Sequence, residues 1–261
     1  MADFDRYGTV RYGTDVARTQ AGVIDQGLRS YMLSVYNYMS LGLAITGLFA
    51  LGAFMMAVTD NPAGAAAQIR EGTYLTQFGY TLFVSPLKWL IMLAPLGMVF
   101  FLSARLNRMS TSGAQTAFWI FAALMGLSLS TIFLVFTAES ITRVFFITAA
   151  AFGALSLYGY TTKRDLGAFG TFLIMGLVGL IIAMLVNIFL QSTMMQFVIS
   201  CAGVLIFSGL TAYDTQRIKE MYYVGDDGTV MGRKAIMGAL ALYLDFINLF
   251  TMLLSLFGNR E

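Results

Sequence analysis

The stretch AIMGALALYLDFINLFTMLLSLFG, residues 235–258, carries a single charge, Asp245, near its middle. As an α-helix it reaches ~36 Å, enough to cross a hydrocarbon core of about 30 Å. A carboxylate at that depth costs roughly 2.5–3.5 kcal/mol on insertion scales, so it requires a protein-lined or water-lined surround. The helix supplies one. Gly238, Ala241, Asp245, Asn248, Met252 and Ser255 recur at alternating spacings of three and four residues. They form one seam of small and polar residues on a helix otherwise covered in Leu, Ile, Phe and Tyr. That face is expected to look into protein, with Asp245 and Asn248 on it together. The same seam makes Gly238, Ala241, Asn248 and Ser255 candidates for lining a path through the bundle.

Outward from this helix the composition agrees. Apolar residues make up 58% of the chain and charged residues 11%, with a mean hydropathy of +0.74. Soluble domains carry about 25% charged residues, so the chain reads as an integral membrane protein. A net charge of +2 gives no case for nucleic acid. The lone cysteine, Cys201, builds neither a disulfide framework nor a zinc site, and there is no phosphate loop or nucleophile elbow. Histidine is absent, so a response to pH near neutrality has to be carried by carboxylates.

Six further apolar runs precede the last one, near 31–58, 85–106, 115–137, 141–160, 167–190 and 194–215. The expected fold is an all-α integral membrane protein of seven transmembrane helices. Gly42, Gly47 and Gly52 in the first run, and Gly170, Gly176 and Gly179 in the fifth, suit close helix contact. Pro95 marks a kink in the second. Residues 59–84, with Pro62, form the longest loop. Residues 1–28, polar and arginine-bearing, read as a flexible cytoplasmic tail ahead of a membrane domain over 29–261.

The basic residues orient the bundle. With the N-terminus cytoplasmic, the inner segments hold Arg6, Arg11, Arg18, Arg29, Arg105, Arg108, Lys163, Arg164, Arg217, Lys219, Arg233 and Lys234. The outer ones hold only Arg70, Lys88, Arg143 and Arg260. The bias predicts N in and C out.

Counted from the outer ends of their helices, Asp214 and Asp245 lie ~25 Å and ~20 Å deep, at similar heights near the inner face. If their helices are neighbours they pair, and a carboxylate pair in low dielectric titrates as a unit. An arginine at that level would instead hold both ionised. Arg105, at the inner end of the second run, is the candidate, with Arg108 the alternative. In that arrangement protonation releases the second helix from the sixth.

The segments GALALYLDFINLFTMLLSLFG (238–258) and GLTAYDTQRIKEMY (209–222) closely resemble the signatures of the Bax inhibitor-1 family, the transmembrane Bax-inhibitor-motif proteins. The resemblance implies seven helices with the C-terminal helix at the centre, wrapped by the other six. Asp214 and Asp245 match the family's paired aspartates, which form a pH-sensitive latch, and Arg105 falls near its second-span arginine. The implied activity is a calcium leak gated by protonation, and carboxylate oxygens suit a hard cation held weakly at Asp214 and Asp245. No other cofactor is implied. The bacterial relatives imply a location in the inner membrane among its lipids. They also raise a rival, restraint of a membrane-anchored ATP-dependent protease, whose contacts would fall on residues 1–27 and 216–234. A third reading, an intramembrane aspartyl protease, needs Gly-x-Gly-Asp at the second acid, where this chain has Leu242-Tyr243-Leu244-Asp245.

Overall fold

The computed structural model describes residues 8–63, 65–70 and 72–260, without the side chains of 8–25 and 107. Of the flexible tail expected over residues 1–28, residues 1–7 lie outside them, and residues 8–28 instead continue the first helix. Helix α1 (Gly8–Ala57) leads into a three-stranded antiparallel sheet of β1 (Val58–Thr59), β2 (Ala67–Arg70) and β3 (Thr73–Leu75), ordered β1-β3-β2. Then follow α2 (Gln77–Phe83), α3 (Leu87–Arg105), a 3-10 turn (Leu106–Arg108), α4 (Thr111–Leu129), α5 (Ile132–Val135) and α6 (Ala138–Thr161). The chain closes with α7 (Gly167–Leu190), α8 (Thr193–Glu220) and α9 (Gly228–Phe257). Seven of the helical segments are long and apolar enough to cross a membrane, with α4, the turn after it and α5 counting as one.

The helix starts are set locally. Thr76, Ser110, Thr137, Ser192 and Asp227 each accept a hydrogen bond from the backbone N–H three residues on, satisfying a donor that the helix leaves free. Helix α7 ends at Gln191, which adopts a left-handed φ of 50°. Its amide bonds the Asn187 carbonyl, closing the last turn.

The last helix is the most enclosed of the seven: 56% of its apolar window is buried, against 33% at most elsewhere. It packs on α1, α4, α6 and α8. Helices α3 and α7 instead lean mainly on α4 and α8, so the expectation of six helices wrapping the last one is corrected to four. Their exposed faces, with Leu90, Leu93 and Phe100 on α3 and Phe172, Ile182 and Phe189 on α7, explain the difference. A helix apolar nearly all round has no polar face to hide and sits well at the lipid boundary.

The region 59–84, read as a loop, is the small sheet plus α2. Arg70 on β2 donates to the Leu134 carbonyl of α5. The C-terminus reaches the same end of the bundle, where Asn259 N–H bonds Ser140 Oγ at 2.9 Å and Thr137 N–H bonds the Asn259 carbonyl at 3.1 Å. At the other end the Tyr31 ring of α1 meets the Tyr222 ring at a tilt, and Lys234 of α9 pairs with Asp226. Helix α9 therefore runs from one end of the bundle to the other rather than re-entering.

Candidate functional site

The seam on α9 is the surface that meets α8, and the two antiparallel helices engage it residue by residue. Gly238 lies under Ile218, where a Cβ would come within 2.9 Å of its side chain. Asp245 stands against Asp214, carboxyl to carboxyl, at hydrogen-bond range. Met252 lies over Gly203, its Sδ 2.8 Å from where a Cβ would be. Ser255 bonds Ser200 at 3.1 Å. Small residues alternate sides, so the backbones approach closely enough for the two acids to touch.

Asp245 is 5% exposed, and its Oδ2 has no hydrogen-bond partner among the described residues. Asp214 is half-buried. Two ionised carboxylates about 4 Å apart repel by roughly 4 kcal/mol at an effective dielectric of ~20. A single proton bridging the pair removes that repulsion and supplies the donor that both oxygens otherwise lack.

The cation beside the pair is Arg217, one turn along α8 from Asp214. Arg105 and Arg108 are both exposed at the end of α3 and in the turn after it, with no acidic partner among the described residues. The expected bridge from Arg105 to Asp214, and the substitute from Arg108, are therefore not formed here. Arg105 is exposed at the end of its helix, a position from which a long basic side chain suits the polar boundary. Arg217 was legible, since positions i and i+3 share a helix face.

Two cavities flank the packed seam. One, of about 200 Å³, is lined by Asp214, Arg217, Ser103, Gly238, Ala241 and Leu244. The other, of about 320 Å³ at the far end, is lined by Asn187, Gln191, Gln196, Ser255 and Arg260. Gln196 Nε2 reaches Ser255 at 3.5 Å, and Asn187 donates to Gln196 at 3.3 Å. Between the cavities Met252 fills the space over Gly203. Gly238, Ala241 and Ser255 thus border cavities, whereas Asn248 turns back to donate to the Leu244 carbonyl of its own helix at 2.8 Å.

Sequence reasoning missed a second polar chain behind Asp214. Tyr36 of α1, Ser156 of α6 and Thr215 of α8 are linked at 2.6 and 2.9 Å, joining three helices at one level. On the opposite face of α9, Tyr243 bonds Thr46 at 2.6 Å, and Thr46 donates to the Ala122 carbonyl at 2.8 Å. Gln216 closes the loop before α7, donating to the Arg164 carbonyl and accepting from Leu166 N–H, both at 2.8 Å.

Residues 28–261 match the family model described as inhibitor of apoptosis-promoting Bax1. The chain belongs to the Bax inhibitor-1 family. Among relatives, the inner membrane protein YbhL of Escherichia coli K12 is 43% identical over 237 residues, 90% of this chain and 94% of YbhL. An uncharacterized protein of Rickettsia prowazekii, RP147, is 46% identical over 237 residues, 91% of this chain and 92% of its own. An uncharacterized Caulobacter vibrioides protein is 43% identical over 264 residues and spans the whole of both chains. The aspartate pair and the α8–α9 seam fall wholly within the matched region.

Proposed function

We propose that this Bax inhibitor-1 family protein is a pH-sensitive, calcium-permeable leak gated by Asp214 and Asp245. The observation that carries the reading is the carboxyl-to-carboxyl contact between α8 and α9, inside a bundle of membrane-spanning helices. Such a contact serves packing poorly, because each acid has to be desolvated. It serves gating well, because gaining or losing one proton changes whether the helices attract or repel at that level.

The arrangement describes a closed seam. Two polar cavities approach each other along it, and Met252 over Gly203 keeps them apart. Loss of the bridging proton sets the carboxylates against each other and at the same time creates the doubly charged oxygen site that a hard divalent cation prefers. Opening and ion binding then favour the same protonation state. Flux accordingly rises from mildly acidic to neutral pH. This sign is opposite to the one an Arg105 latch requires, in which protonation frees the second helix. Two carboxylates alone hold calcium weakly, as permeation demands. The N-in, C-out orientation completes the reading, with the pair near the cytoplasmic face.

The pairing by itself would also suit an aspartyl protease, but the residues before Asp245 are Leu242, Tyr243 and Leu244, without the glycines that such a site uses. The test is calcium uptake into liposomes containing the purified full-length protein, compared with protein-free vesicles. Uptake that depends on the protein and on pH supports the leak. Protein-dependent uptake that is absent at every pH refutes it.

A further inference from the structure

Helices α1 and α6 each pack on α9, yet between them runs an open groove of about 1200 Å³. Its walls carry matched small residues, Ser40, Ala44 and Gly47 on α1 against Ala149, Gly153 and Ser156 on α6. Such faces ordinarily let two helices close on each other. Here they do not, and a Cβ added at Gly47 or at Gly153 would meet nothing within 4 Å. The rims are exposed leucines, Leu33, Leu48 and Leu157, as suits a surface in contact with hydrocarbon.

We infer that this groove holds an acyl chain of an anionic phospholipid, whose phosphate meets Arg29. Three observations favour that occupant. First, the α1 wall runs from Arg29 to Leu51, ~33 Å of helix against a hydrocarbon core of about 30 Å, so a chain entering at one end has a full leaflet of groove to lie in. Second, Arg29 is the charged lining residue, and it stands at the end of the groove also lined by Tyr160. Lys219 adds a second positive charge there, its Nζ 2.9 Å from the Tyr160 carbonyl and 5.4 Å over the Tyr160 ring. Basic pockets between membrane helices suit anionic headgroups in this way. Third, the walls are apolar save for hydroxyls. Tyr36 and Ser156 spend theirs on each other, which leaves a greasy channel below a basic mouth. Phe246, next to Asp245 in sequence, forms part of the floor, so the lipid would lie one residue from the carboxylate pair.

The experiment places the full-length protein in vesicles containing a trace of phosphatidylglycerol with a photoactivatable group on its acyl chain, and maps the labelled peptides. Parallel vesicles carry the same probe on phosphatidylcholine. The expected label concentrates on residues 40–47 and 149–156 and favours the anionic probe. Gly47→Leu and Gly153→Leu, which fill the groove from opposite walls, should each cut that label severalfold. Gly179→Leu, at an equally open glycine on α7, should leave it intact. Arg29→Gln should lower the preference for phosphatidylglycerol about fivefold. Label spread evenly over all lipid-facing helices overturns the inference. So does equal labelling by the two lipids in the unmodified protein, or cross-linking of two copies through residues 47 and 153.

Discussion

Replacing Gly159 with alanine tests the close approach that positions the helix bearing Asp214. A Cβ at Gly159 would lie 2.2 Å from the Ala212 carbonyl oxygen and 2.9 Å from its carbon, both backbone atoms that no rotamer change can move aside. Ordinary contact begins near 3.4 Å, so α6 and α8 must separate by about 1.2 Å, the difference between 3.4 and 2.2 Å. Three residues away, the 2.9 Å bond from Ser156 to Thr215 would stretch beyond hydrogen-bonding range. Overpacking costs about 1–3 kcal/mol, and the lost interhelical bond about 0.6–1.7 kcal/mol. The helix propensity of alanine returns about 1 kcal/mol. The net cost is then roughly 1–3 kcal/mol. Gly153→Ala on the same helix gains the propensity without the collision, because its Cβ points into open space. Reversible unfolding in mixed micelles should separate the two variants by roughly 2–4 kcal/mol. Equal stabilities would refute the packing argument.

Further outcomes follow from the same geometry. Arg217→Ala should move the pH step of calcium uptake upward, since an ionised Asp214 loses a partly screened cation. Arg105→Ala should leave that step in place, and a large effect from Arg105 alone would restore the latch between the second and sixth helices. Met252→Ala, which empties the space over Gly203, should raise uptake at every pH and lower stability by about 2–5 kcal/mol. A leak unchanged in that variant would show that the two cavities do not communicate along the seam. A cysteine at Asn259, introduced with Cys201→Ser, should react with an impermeant reagent from the periplasmic side, and reaction from the cytoplasm would reverse the proposed orientation.

Much of this arrangement was legible because helical periodicity reports faces. The three-four spacing from Gly238 to Ser255 identified the side of α9 that meets α8, and counting residues along each helix set Asp214 and Asp245 at one height. Periodicity does not report which helix supplies a counter-charge. Arg217 lies on Asp214's own helix, while a search for a cation on a neighbouring helix led to Arg105. The sheet at 58–75 escaped because its strands are two to four residues long and include Ala67, Gln68 and Arg70, which carry little strand preference. Gly72, with φ of +77°, was the available sign of a tight turn. Glycine stripes were ambiguous in a different way. Gly42 and Gly170 do receive aromatic rings from neighbouring helices, but Gly47, Gly52 and Gly179 face open space. Smallness permits contact without choosing the partner, and the groove between α1 and α6 depends on how α9 holds the two apart.

The measurement closest to the central claim is the pH profile of calcium uptake by proteoliposomes containing Asp214→Asn, Asp245→Asn and the double variant. An asparagine at either position donates a permanent hydrogen bond to the remaining acid and removes the repulsion that opens the seam. Each single variant should therefore show low uptake with no step between mildly acidic and neutral pH, and the double variant should add nothing further, because all three abolish one shared event. A single variant that keeps the full pH step of the unmodified protein would contradict the account.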